Sequence, residues 1–447
     1  MLEKIKSLRF PLPEEIDKLK KSGFFDEADQ LIDRKLEDPA VPSFMKDRLI
    51  TEKEILNRLP ANYPYTEEEA LALIQREIPD FTMDELREWE AGGAADWIMV
   101  NGRKHLQNRF FASMKKVYPE IAERAGEEQE DKSLLDENIR YMKEHGSTTW
   151  HVRMKASIRI KDDVFRPGKV LVHLPIPASA VNMKNIRILK TDPEECILSK
   201  EDDLVRTAAF TADLKENRTF SVEYEYDSYA EYNELKAEEV TSVLSPQPEE
   251  EPHIVFSPVI KQLAADLKGD ETNPLIIARR FYDFVTENVV YSFMREYITL
   301  GLIPEYCISR LKGDCGVQAL TFITLCRCAG IEAKWQSGKY VTPDTLGNHD
   351  WAMFRIEPYG WLFADCSFGG SAYRAGCKER HDFYFGNLDP FRMAAANAFQ
   401  QEFVPAKKHW RIDPYDNQKG EIEYGDRGLL THEIEFACEC IEMTHTK

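Results

Sequence analysis

Three side chains of this sequence could together carry out acyl transfer: Cys315, His349 and Asp365, in that order. A thiolate attacks a carbonyl carbon, an imidazole accepts and later returns the proton, and a carboxylate fixes the imidazole tautomer. Taken singly each is weak evidence, because a lone cysteine, histidine or aspartate is more often structural. Cys315 lies in Lys312-Gly313-Asp314-Cys315-Gly316, just ahead of a helix-like run from Val317 to Ala329. Its sulfur is therefore expected at a helix N-terminus, where the helix dipole and a nearby imidazolium lower a thiol pKa from about 8.5 toward ~3.5–7.5. The backbone amides of Cys315 and Gly316 leave the same helix start and are the candidate oxyanion donors.

The elements that must position these groups are readable from pattern. Val317, Leu320, Phe322, Ile323 and Cys326 make the helix apolar, and Ala329-Gly330 stops it. Residues 331 to 341 then read as a strand, 342 to 348 as a loop, 351 to 356 as a second strand and 361 to 364 as a third. His349 would open one strand and Asp365 close its antiparallel neighbour, side by side. Upstream, Asn273-Pro274 is a helix start, followed by the apolar stripe Ile277, Phe281, Phe284 and Val285. Trp351 is a candidate wall of the acyl site. So is the loop-like stretch from Tyr373 to Phe391, with Tyr373 its first aromatic.

Gly313-Asp314-Cys315-Gly316, the run Leu325-Cys326-Arg327-Cys328-Ala329-Gly330-Ile331, then Asn348-His349-Asp350-Trp351 and Gly360-Trp361-Leu362-Phe363-Ala364-Asp365 resemble the core of the transglutaminase-like superfamily. The helix containing Ala278-Arg279-Arg280-Phe281-Tyr282-Asp283-Phe284-Val285 is similar to the one that leads into this core in bacterial members. The resemblance implies a papain-like core with a Cys-His-Asp triad, here Cys315, His349 and Asp365. It also implies metal-free attack on an amide carbonyl through a thioester, as in cross-linking enzymes, peptide N-glycanases and bacterial cysteine peptidases. Glu332-Ala333-Lys334 departs from the usual Pro-Ala-Arg, which bears on substrate contacts more than on the nucleophile.

Around that core the composition sets limits. A chain of 447 residues predicts two or three domains. Residues 1–146 read as a helical region with capping boxes at Thr66-x-x-Glu69 and Thr82-x-x-Glu85. Asn101-Gly102 within it is either a hairpin turn or a helix break. Residues 147–241 alternate with period two, as in Val152, Met154, Ala156, Ile158 and Ile160, and predict a β-sandwich-like module. Residues 242–258 form a Pro/Glu-rich linker, and 259–447 the catalytic domain with a C-terminal extension. The expected fold class is α+β.

A net charge of -20 argues against nucleic acid and anionic membranes as partners. Neither a leader peptide nor a long apolar stretch is evident, and the nine cysteines are an odd count, so a cytoplasmic location is expected. No metal or other cofactor is expected, since Cys326/Cys328 and Cys438/Cys440 are spaced C-x-C and no calcium loop pattern occurs. The expected activity is thiol-dependent processing of a peptide or protein amide, hydrolysis ahead of transfer. The alternative is a non-enzymatic interaction scaffold built on the same core.

Overall fold

Alternation is strongest over Ser147–Ile160, and in the computed structural model, which describes residues 2–127 and 131–446, every second residue of that strand is buried. It is the spine of a four-stranded sheet, flanked by Ile434–Thr446 on one side and Phe220–Glu231 on the other, with Met183–Asp192 outermost. A second sheet sets Gly168–Pro175 between Glu421–Tyr424 and Thr207–Leu214. Apolar side chains of the two sheets meet, with the Phe210 and Phe220 ring centroids 5.5 Å apart. Both sheets thus take an edge strand from the C-terminal tail, which the sequence pattern assigns to the catalytic domain. The basic outer face of Ser147–Ile160 is neutralised across the sheet, His151 bonding Asp227 at 2.8 Å and Arg153 pairing with Glu223. It is a solvated sheet face.

The N-terminal region is mainly helical. Both capping boxes form, with Thr66 and Thr82 each accepting from the third residue of its helix and receiving that glutamate in return. Asn101-Gly102 is a hairpin turn between strands Trp97–Val100 and Arg103–Leu106, both turn residues having positive φ, 48° and 75°. Residues 242–258 form no long element yet lie against the core: Ser245 and Gly330 are bonded through their backbones, and Arg327 reaches Glu250 at 3.2 Å. No helix among the described residues is long and apolar enough to cross a membrane.

Asn273 caps the helix Pro274–Asn288, which packs beside the helix Cys315–Cys328, buried from Cys315 to Cys326. Both rest on an antiparallel sheet ordered Phe385–Gly386, Gly360–Ala364, Leu346–Ile356, Ala333–Val341 and Arg392–Ala396. The architecture is α+β. Two local expectations change. Thr342 and Thr345 close a tight turn, Thr345 N donating to Thr342 Oγ1 at 2.9 Å. The next strand therefore begins at Leu346, and His349 lies inside it rather than at its start. The stretch Tyr373 to Phe391, loop-like in sequence, instead begins within the helix Cys366–Arg374, which Asp365 caps, and holds a second helix, Lys378–Phe383.

Gly338 sits opposite His349, where pairing with the strand Arg392–Ala396 slips by one residue. A Cβ here would lie 1.9 Å from the Met393 carbonyl oxygen. Gly338→Ala should therefore push the Arg392 strand away and cost about 1–3 kcal/mol, read as a lower urea midpoint. An unchanged midpoint would mean that the close approach is not required.

Candidate active site

Asp314 begins the construction of the site. Its carboxylate caps the helix by accepting from Val317 N at 3.2 Å, and it also accepts from the Tyr297 hydroxyl at 2.5 Å. Cys315 is consequently the first helical residue, with 9% of its surface exposed. Gly316 follows because nothing larger fits: a Cβ would stand 2.2 Å from the Tyr297 hydroxyl and 2.8 Å from both Asp350 Oδ2 and the Trp335 ring. The Cys315 sulfur donates to Asp350 Oδ2 at 3.6 Å, and Gln418 Nε2 donates to the other oxygen of Asp350 at 2.6 Å.

His349 and Asp365 come from adjacent strands. The antiparallel pair Ala352 with Ala364 ends the ladder, so Asp365 emerges just beyond it on the side of His349. His349 Nε2 and Asp365 Oδ2 are 2.7 Å apart. With Asp365 ionised, Nε2 carries the proton, which leaves Nδ1 as the basic nitrogen. The same Asp365 oxygen accepts from Arg392 Nη2 at 2.7 Å, while Oδ1 accepts from Phe368 N at 3.1 Å and Ser367 Oγ at 3.2 Å. Arg392 in turn donates to Asp389 at 3.0 Å, and Tyr384 donates to Asp389 at 2.8 Å. Phe368 meets the His349 ring edge-on with centroids 5.0 Å apart, and Trp351 stacks on it at 5.9 Å. Two rings thus pack against the imidazole.

The electrostatics differ from the expectation of a lowered thiol pKa. Burial pushes the Cys315 thiol well above its ordinary value, and the nearby carboxylates of Asp350 and Asp314 push it further. A helix terminus supplies only about half a charge, which two carboxylates and desolvation outweigh. Burial also holds the His349 pKa below its ordinary value, against the pull of Asp365. For Asp365, burial alone would raise the carboxyl, but His349 and Arg392 reverse this and keep it well below the usual range. The resting pair is a thiol and a neutral imidazole beside an ionised carboxylate.

Of the residues singled out in the sequence, His349 and Asp365 are bonded to each other, and the Cys315 thiol lies against Asp350, the neighbour of His349. The amides of Cys315 and Gly316 lie at the start of the helix Cys315–Cys328. Trp351 is fully buried and donates to Gln336 Oε1 at 2.7 Å, so it backs the imidazole instead of lining a cleft. Tyr373 is 46% exposed at the far end of the helix capped by Asp365, roughly 12 Å along the axis at ~1.5 Å per residue. Arg392, Asp389 and Gln418 are not singled out by the sequence. Arg392 had a signal, an arginine opening the otherwise apolar run Met393-Ala394-Ala395-Ala396; a charge on a buried strand needs a partner. Among the described residues no group of three or more His, Cys, Asp or Glu is arranged to hold a metal ion.

Residues 261–366, which hold all three of Cys315, His349 and Asp365, match the model of the transglutaminase-like superfamily. The chain carries the core of that superfamily. Solved structures show weaker likenesses. A candidate cysteine protease from Cytophaga hutchinsonii is 13% identical, with a TM-score of 0.38 over 67% of this chain and 90% of the other. The periplasmic domain of TgpA from Pseudomonas aeruginosa is 12% identical, with a TM-score of 0.28 over 55% of this chain and 95% of the other. Likenesses this distant do not bear on activity. A search of curated proteins found no match.

Asp314 provides a pH test of the site. Burial raises its pKa from 3.8 to about 6. The folded chain therefore binds this proton more tightly than the unfolded chain, and the stability it contributes at low pH is lost as pH rises from about 4 through 6. Asp314→Asn keeps an oxygen for the cap and removes the cost of the buried charge. It should match the parent near pH 4 and exceed it by about 1–3 kcal/mol at pH 8. A difference that does not vary with pH in urea titrations would contradict this assignment.

Proposed function

We propose that this chain is a thiol-dependent amide-processing enzyme, with Cys315 as nucleophile, His349 as general base and acid, and Asp365 as the orienting carboxylate. The observation that carries this is the buried 2.7 Å pair of His349 Nε2 with Asp365 Oδ2, together with a cysteine that starts a helix and whose sulfur donates to Asp350, the residue after His349. In this reading the thiol leaves Asp350 for Nδ1 of His349 and gives up its proton as Sγ bonds to the acyl carbon. The Cys315 and Gly316 amides receive the developing oxyanion. His349 then donates its proton to the departing nitrogen, the C–N bond breaks, and a thioester remains. Water attacks that thioester while His349 takes its proton, and the acid and the free thiol are regenerated. Peptide or protein amides are the substrates we infer, and a cytoplasmic setting suits a chemistry that needs a reduced thiol.

The raised thiol pKa supports a resting state that becomes active when substrate displaces Asp350 and neutralises its repulsion. The same enclosure is what a non-catalytic scaffold would keep, so trapping the intermediate is the decisive test. A peptide library incubated with hydroxylamine should yield acyl hydroxamates. Cys315→Ala should yield none, and His349→Ala should be slower by about 10²–10⁴-fold. A fluorescent primary amine in place of hydroxylamine measures transfer against hydrolysis. Hydroxamate formation that survives Cys315→Ala would refute the assignment.

A further inference from the structure

The helical N-terminal region reaches the active site through Arg109, the residue that precedes the helix Phe110–Val117. Its guanidinium lies 3.4 Å over the ring of Phe293. Phe293 is itself tied to the N-terminal region, its backbone N–H donating to Ser113 Oγ at 2.9 Å. The chain that carries Phe293 runs beside the one that carries Cys315: Val290 and Tyr291 pair in parallel with Lys312 and Gly313, and Ser292 N donates to Gly313 O at 3.2 Å. Tyr291, Asp314 and Cys315 lie within electrostatic range of the Arg109 guanidinium. Arg109 is thereby held on the segment that runs alongside the start of the Cys315 helix.

Arg109 is exposed to solvent, so its side-chain donors are open to an incoming group. Arginine carries five N–H donors, yet among the described residues none of those of Arg109 has a protein acceptor, although its backbone N–H donates to Gln107 Oε1 at 2.7 Å. A second cation of the same helix, Lys116, lies 4.9 Å over the Tyr291 ring. In a chain of net charge -20 the general field repels anions. A planar donor fork stacked on an aromatic ring is the arrangement that receives a carboxylate through two parallel hydrogen bonds.

We propose that Arg109 is a specificity-determining residue that binds a carboxylate of the substrate beside the acyl group attacked by Cys315. This rests on Cys315 being the nucleophile. The preferred substrates are then amides flanked by an acidic side chain or by a chain terminus. The N-terminal region takes part in selecting them by holding Arg109 over Phe293.

The test compares two alkylating agents of similar size and different charge on the same thiol. Alkylation of Cys315 by iodoacetate and by iodoacetamide is followed by mass spectrometry of the Cys315 peptide in the full-length chain. Arg109→Gln should lower the iodoacetate rate about tenfold relative to iodoacetamide, and Arg109→Lys, which keeps the charge, should restore part of the ratio. An unchanged ratio in Arg109→Gln overturns the proposal. So does an equal fall of both rates, which would place the effect on the thiol and not on the incoming group. A parent Cys315 that reacts with neither reagent yet still yields acyl hydroxamates overturns the proposal, whereas one that yields none either overturns the catalytic assignment itself. Protection against iodoacetamide by N-acetylglutamic acid α-amide, compared with N-acetylglycine, separates a side-chain carboxylate from a terminal one. Protection no better than that by neutral N-acetylglycinamide also counts against the proposal.

Discussion

The Asp365 carboxylate, buried and shared between His349 and Arg392, is the interaction on which the rest of the site depends. Removing an ionised carboxylate from water costs several kcal/mol, which only a close opposite charge and full hydrogen bonding offset. Both are present. One oxygen takes His349 and Arg392, and the other takes a backbone amide and a hydroxyl of the next helix. Meeting these demands requires the strand of His349, the strand ending at Ala364, the helix that follows it and the strand of Arg392 to converge on one point. The sheet that carries His349 is therefore constrained by polar geometry as much as by apolar burial. Gly338 shows this in the backbone, since only a residue without a Cβ lets the strand of Arg392 come close enough.

Cys315 stands on the opposite electrostatic footing. His349 has a carboxylate that is fully compensated, whereas Cys315 faces Asp350 and Asp314, and burial raises the pKa of both acids. Gln418 binds the far oxygen of Asp350 and holds that carboxyl against the sulfur. A thiol so placed stays protonated until another group takes over Asp350 or brings positive charge. Arg109, supplied by the helical N-terminal region and stacked over Phe293, is the cation we propose for that task. Restraint of the thiol and selection of the substrate thus become two aspects of the same charge distribution.

Much of this was legible in the sequence where local physics decides. The capping boxes at Thr66 and Thr82, the Asn273-Pro274 helix start, the alternation of Ser147–Ile160 and the helix opening at Cys315 depend on near neighbours, and each appears as expected. The three candidate catalytic residues stand out by order and motif alone. Long-range pairing was hidden. Nothing in the sequence of Ile434–Thr446 states that it will lie along Ser147–Ile160, or that Gln418 will reach Asp350. The protonation of Cys315 was misjudged for the same reason, because the helix dipole is a local term while the carboxylates that outweigh it include a residue of a distant strand. Arg392 lay between the two cases, visible as a charge in an apolar run but without an evident partner.

The central claim is that Asp365 and Arg392 together fix the His349 imidazole with its basic nitrogen free for the thiol. The ¹⁵N chemical shifts of the His349 ring at neutral pH report this directly. The account predicts a neutral ring protonated at Nε2, with Nδ1 unprotonated, and conversion to the other tautomer or loss of a single ring state in Arg392→Met. A ring protonated at Nδ1 in the parent chain, or an imidazolium at neutral pH, would contradict it.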